Sequence, residues 1–282
     1  MENKDLIESW LRRHIEKERK EAEEEKLKKE NPVKEPKKSK KPKIILPQVP
    51  NFTQAQFLEG EFGKQINDKI QAKYRGIEAI NQVVYDDNGK IITGSTPFYV
   101  VAVQEFLPEN LRVATQTDLE KIIKTNAPNL SRIYEDSALV LRTKQNPNQY
   151  LAEDLFDQFK SKGINLKEDS AYVIPLYTLK LRKDNNSPNK LSFKVTDSTI
   201  NNYFEAPILN SESGSYINPS EINENTGLPN KVYKKQVSGN RQLWTGNSGL
   251  VRLCLCSSLD IGSGGESLSY GDRNSRVVLV SA

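Results

Sequence analysis

The sequence predicts an α+β domain that follows a charged N-terminal helix and a Lys/Pro-rich linker. Three observations predict it. Tyr150 to Lys162 set Leu151, Leu155, Phe156 and Phe159 on one face of a helix that Gly163 can terminate. Turn-forming residues twice separate strand-like runs, at Asp87-Asn88-Gly89 and at Asp184-Asn185-Asn186-Ser187-Pro188. The chain closes on Arg276-Val277-Val278-Leu279-Val280, a β-branched run that reads as a strand buried on both faces.

Residues 4–30 read as a helix. Leu6, Ile7, Trp10, Leu11 and Ile15 fall at spacings of three and four and form a short apolar stripe, with His14 at its polar edge. Beyond Ile15 the helix is almost wholly charged, with Glu16–Lys20 and Glu24–Lys28 at the favoured i,i+4 spacing. Such a stripe can dock on a partner or drive self-association; a solvated helix is the plainer alternative. Residues 31–50 form a linker, because five prolines forbid a helix and the lysines between them repel one another.

The domain spans 51–282. Thr53 caps a helix whose buried face is Phe57, Leu58, Phe62, Ile66 and Ile70, ending near Tyr74. Ile77 to Tyr85 either extends it or begins a strand, and Val83-Val84-Tyr85 pairs with Ile91-Ile92 across the first turn. Pro97 to Phe106 is apolar enough to fit helix or strand. Thr115, with Asp118 three residues on, caps the next helix. Ala138 to Arg142 is a short strand, and Tyr172 to Lys183 pairs with Lys190 to Val195 as a hairpin. Asn201 to Arg241 reads as a long irregular insertion.

Gly246 to Ser275 has its own pattern. Leu250, Leu253, Leu255, Leu259, Ile261 and Leu268 interrupt a run of Gly, Ser, Asp and Asn. One reading is ordinary loops between short strands. The other is a fixed apolar skeleton carrying a tolerant set of polar residues, which is a recognition surface. Its candidate ligand-binding residues are Cys254, Cys256, Ser257, Ser258, Asp260, Ser269, Tyr270, Asp272, Arg273 and Asn274. Tyr270 is an aromatic anchor of such a surface, and Trp244, beside Leu243, is expected in the core.

Charge and composition narrow the function. The first 43 residues hold 15 of the 41 Lys/Arg and 11 of the 37 Asp/Glu, so the remainder is formally neutral. A basic nucleic-acid face on the domain is therefore not expected. No apolar run is long enough for a membrane span, and the N-terminus lacks the apolar core of a signal peptide, so the expected compartment is the cytoplasm or a virus particle assembled there. Cys254 and Cys256 are the only cysteines and His14 is the only histidine, so neither a disulfide framework nor a metal or cofactor site is expected. Gly262-Ser263-Gly264-Gly265 lacks the Lys and the strand-to-helix setting of a phosphate loop. No catalytic residue is assigned.

Arg112-Val113-Ala114-Thr115-Gln116-Thr117-Asp118-Leu119-Glu120 resembles the Arg-Leu-Pro-Thr-x-x-Glu-Trp-Glu signature of the formylglycine-generating-enzyme branch of the C-type lectin fold. Asn51 to Phe57 is similar to that branch's earlier Val-Thr-Asn segment, and Arg276 to Val280 to its closing Gly-Phe-Arg-Leu-Val strand. Ala114 and Leu119 replace the signature's Pro and Trp, and Cys254-Leu255-Cys256 does not match the oxidase's wider cysteine pair, so the resemblance does not carry the enzyme activity. Residues 246–275 resemble the randomised segment of the variable proteins of diversity-generating retroelements, which share this fold. That resemblance implies a C-type-lectin-like, non-enzymatic protein that binds a protein or other macromolecular ligand. The alternatives are an enzyme or sugar-binding module of the same fold, and a structural or virion protein assembling through its N-terminal helix.

Overall fold

The computed structural model describes residues 55–81, 84–85, 91–93, 96–265, 267–271 and 274–282. The predicted charged helix, the linker and the Thr53 cap lie outside these residues. Strand β1 (Gln56–Phe57) pairs antiparallel with the closing strand, with Phe57 opposite Val278. That pairing takes Phe57 out of the expected helix. Helix α1 instead spans Gly60–Tyr74, after a turn in which Gly60 adopts φ +68°, and it buries Ile66, Ile70 and Tyr74. A single turn of helix, α2 (Glu78–Asn81), leads to strands β2 (Val84–Tyr85) and β3 (Ile91–Thr93), which pair as the first hairpin.

The ambiguous apolar segment is helix α3 (Pro97–Phe106). Pro97 opens it, the Thr96 side chain accepts from the Tyr99 N–H, and every residue from Pro97 to Val103 is buried. Burial on all sides removes the periodicity that would have marked it as a helix. Strand β4 (Leu111–Val113) feeds α4 (Gln116–Thr125) through a complete capping box between Thr115 and Asp118. Strand β5 (Glu135–Leu141) begins three residues before the expected strand. Helix α5 (Gln149–Ser161) buries Leu151, Leu155, Phe156 and Phe159 as its spacing predicts.

The expected single strand from Tyr172 is split by a 3-10 turn at Leu176–Thr178. Its first part, β6 (Tyr172–Pro175), joins the large sheet; its second, β7 (Lys180–Lys183), pairs with β8 (Leu191–Lys194). Helix α6 (Asp197–Asn202) follows, then β9 (Phe204–Glu205), β10 (Ser215–Ile217), β11 (Arg241–Thr245), β12 (Leu250–Leu255), β13 (Ile261–Gly265) and β14 (Val278–Ser281).

Seven strands form the main sheet in the order β10-β11-β13-β12-β5-β6-β9, and only β11 and β13 run parallel. Leu139, Leu141, Ile174 and Leu250 belong to the cluster that contains the residues of α1, α3 and α5. Ala138, Val140, Val173, Val251, Leu253 and Ile261 alternate with them and meet Leu209, Ile217, Ile222 and Leu228. The stretch expected to be an irregular insertion thus covers the second face of the sheet, supplying apolar side chains from short turns and from both edge strands. A buried Leu or Ile contributes roughly 1.5–3 kcal/mol, so the layer is integral to stability.

A second sheet, β1-β14-β4, joins both ends of the domain, and its Val278 packs with Ala114, Leu119, Ile122 and Leu255. Val277, Val278 and Leu279 are fully buried, whereas Val280 is half-buried. Strand β12 lies in the middle of the main sheet and all six of its residues are buried. With Gly249, Ile261 to Ser263, Leu268 and Ser275, twelve of the 27 described residues of the candidate recognition stretch are therefore buried. Beside β12 both neighbours carry an irregularity. Ser137 is an extra residue on β5, between the pairs Ala138–Leu253 and Asp136–Cys254, and β13 gains a residue between Gly262 and Gly265. Among the described residues no helix is long and apolar enough to cross a membrane.

Candidate ligand-binding surface

The candidate surface lies at the end of the β12–β13 hairpin and on the loop that follows β13. Its foundation is a buried ion pair. Arg252 points from β12 to Asp136 on β5, with a guanidinium nitrogen 2.7 Å from a carboxylate oxygen; the two side chains are 4% and 0% exposed. The same guanidinium donates to the Tyr270 carbonyl at 2.9 Å and lies 5.3 Å from the Tyr134 ring centroid. A side-chain ion pair in the sheet thus anchors the backbone of the outer loop.

Segment 132–134 ties the two exposed parts together. The Arg132 N–H donates to the Ser257 carbonyl at 2.7 Å, and the Tyr134 N–H donates to the Asn274 carbonyl at 3.2 Å. The Arg276 N–H returns to the Tyr134 carbonyl at 3.0 Å. Ser257 and Asn274, distant in sequence, therefore flank one short segment. Beside them, Glu135 is fully buried and bridges the two sheets, one carboxyl oxygen accepting from the Val278 N–H at 3.0 Å. Burial pushes its carboxyl well above the ordinary range, with Asp136 adding to the shift and the Val278 bond and Arg276 opposing it.

The predicted site residues divide into four groups. Ser257, Ser258, Tyr270 and Asn274 are exposed, and Ser269 and Cys256 are half-buried. Cys254 is only 2% exposed, so it is withdrawn from the surface on which it was expected. Asp260 is half-buried and holds the turn together: it accepts from the Gln242 N–H at 2.7 Å and from the Ser258 hydroxyl at 2.6 Å. A tolerant surface position would not be so engaged. Asp272 and Arg273 lie outside the described residues.

Trp244 corrects a further expectation. Arg241, Leu243 and Thr245 face the interior from β11, so Trp244 faces outward and is 43% exposed, beside Tyr270 at 61% one of the most exposed aromatic side chains. The period-two alternation along Arg241 to Thr245 is the signal that could have placed it. Arg252, Asp136 and Tyr134 were not singled out in the sequence, because a charged pair on two central strands has no local signature.

Two further ion pairs are buried or half-buried in the domain. Arg241 and Glu120 form a buried two-bond pair at 2.7 and 3.0 Å. Arg112 joins Asp118 within the helix cap at 2.5 and 3.1 Å; burial opposes ionisation of Asp118, but the bonds from Arg112 and Thr115 outweigh it and hold its carboxyl below the usual range. That pair borders a polar cleft of about 270 Å³ that is also lined by Tyr177 and Asn202. Among the described residues no cluster of three or more His, Cys, Asp or Glu could hold a metal ion. What the hairpin end and loop present is hydroxyls, amides and aromatic rings on a braced backbone, a set suited to non-covalent recognition. Comparisons with protein-family models, with curated proteins and with solved structures found no match.

Proposed function

We propose that the chain is a non-enzymatic binding protein with a C-type-lectin-like domain, and that the exposed positions within 246–275 form its recognition surface for a macromolecular ligand. The observation that carries this reading is the division of that stretch into two sets. Arg252, Leu253, Leu255, Ile261 and Ser263 are locked in the sheet, while Ser257, Ser258, Tyr270 and Asn274 project from the braced turn and loop. Two features support the fold. The first and last strands of the domain pair side by side with β4, and the Arg112-to-Glu120 signature forms strand, cap and helix with its Arg112 and Asp118 joined.

Retroelement diversification is the part of this reading most open to test. The DNA flanking the gene is searched for a near-repeat of the codons for 246–275 beside a reverse transcriptase gene, and sister copies of the gene are sequenced. Adenines in the repeat are expected at the codons for Ser257, Ser258, Tyr270 and Asn274, and not at those for Arg252 and Ser263. A repeat whose adenines fall on the buried set, or variation spread evenly along the gene, would remove the recognition reading.

A further inference from the structure

Cys254 and Cys256 are two residues apart at the end of β12 and are not joined by a disulfide. Their sulfurs converge. Each lies 2.9 Å from the point that a Cβ on Gly262, across the ladder on β13, would occupy. The backbone at Gly262 is not in the left-handed region, so what glycine provides here is room. The Cys254 thiol donates to the Gly262 carbonyl at 3.4 Å. Cys254 is shielded and Cys256 is partly open to solvent, so an ion could reach the pair from one side.

Two sulfurs that converge in this way, without being bonded to each other, offer two ligands to one ion. Structural zinc requires four ligands, and the described residues offer no group of three or more. A soft closed-shell ion is satisfied by two thiolates. We propose that Cys254 and Cys256 together bind one monovalent thiophilic ion of the Cu(I) class in front of Gly262. Both thiols release their protons to solvent, two metal–sulfur bonds form, and no group changes oxidation state. The complex carries one negative charge and lies beside the Arg252–Asp136 ion pair, with Arg252 two residues before Cys254 on the same strand and Asp136 opposite it. Because Cys256 begins the turn that bears Ser257 and Ser258, a bound ion would pin that turn to the sheet. The site stands on the thiol geometry alone and does not depend on the recognition reading.

The test uses the full chain, fully reduced and kept without oxygen, titrated into the coloured Cu(I) complex of bicinchoninate. One Cu(I) per chain is expected to be withdrawn from the dye. Cys254→Ser and Cys256→Ser should each lose this uptake. Gly262→Ala should lose it too, with both thiols intact, because its methyl group would sit 2.9 Å from each sulfur. Circular dichroism and thiol titration identify the variants that fold; if Gly262→Ala does not, the two serine variants decide. No uptake by the native chain, more than one ion per chain, or undiminished uptake in a folded single-serine variant overturns the site.

Discussion

The C-terminal stretch holds two regions of similar composition and opposite fate. In β12 and β13 the residues Arg252, Cys254, Gly262 and Ser263 are as buried as the leucines beside them, whereas in the turn and loop Ser257, Ser258 and Tyr270 face solvent. Residue type does not separate the two regions. Cover does: β12 is buried on both faces, so its polar residues are interior whatever their chemistry, and they stay there only when their polar groups find partners. Arg252 has Asp136 and the Tyr270 carbonyl; the Cys254 thiol has the Gly262 carbonyl.

Perturbing the paired region should cost most. Val278→Asp places a carboxylate in the fully buried cluster between β14 and α4, and the expected outcome is an insoluble or unfolded product. A soluble variant with native circular dichroism would show that β14 is not internal. Asp136→Ala should cost about 3–5 kcal/mol, since it leaves the Arg252 guanidinium buried without its acid. Denaturant unfolding measures it, and a loss under about 1 kcal/mol, the range of exposed pairs, would erase the contrast between the two regions.

Glu135→Gln should act in the other direction. The carboxyl is held well above the ordinary range, so the fold favours its protonated form. Its contribution is complete below the unfolded glutamate value of about 4.3 and is lost as pH rises through the folded value. Glutamine keeps an oxygen for the Val278 N–H without a charge to bury. The variant is therefore expected to be the more stable chain at neutral pH, with the difference shrinking toward pH 4; unfolding curves across that range check it. A wild type that gains stability from pH 5 to 8 through this residue would contradict the burial argument.

In the exposed region the effects should be small and uneven. Asp260→Ala removes two hydrogen bonds to a carboxylate and should cost about 1.5–3 kcal/mol. Ser257→Ala, Tyr270→Ala and Asn274→Ala should each change stability by less than about 0.5 kcal/mol, and Ser258→Ala, which removes one of the two Asp260 bonds, should fall between them and Asp260→Ala. Thermal melts of the five variants would sharpen the boundary between support and surface. Equal costs at all five would dissolve it.

Much of the fold was legible because its signals are local. The Thr115–Asp118 box, the apolar face from Leu151 to Phe159 and the hairpin closed by Asp184 to Pro188 depend on residues within a turn or two of one another. The misplaced start of α1 came from a non-local cause, the pairing of Phe57 with Val278. Residues 201–241 misread for a related reason: Leu209, Ile217, Ile222 and Leu228 have no regular period, and their burial is set by the sheet beneath them. At the surface the exposed serines and Tyr270 could be named from composition. The ion pair beneath them could not, because Asp136 and Arg252 are far apart in sequence and meet only when β5 and β12 are aligned.

That alignment has a mechanical side. Alternation along a strand is a signal of period two, and the extra residue at Ser137 resets its phase. On β5 the inward beat after Ser137 falls on Ala138 and Val140, which share the apolar layer with Val251 and Leu253. Counted backward without a reset, that beat would land on Asp136 and drive a carboxylate into the apolar layer. The bulge delays it by one residue, so Asp136 sits opposite Cys254 and reaches Arg252 instead. One backbone step thus works as a clutch between an oil-like half of the sheet and an ionic half. An unbroken rhythm through Ser137 would turn the charge to the wrong side, whereas deleting Ser137 outright would leave Asp136 next to Ala138 and still opposite Cys254.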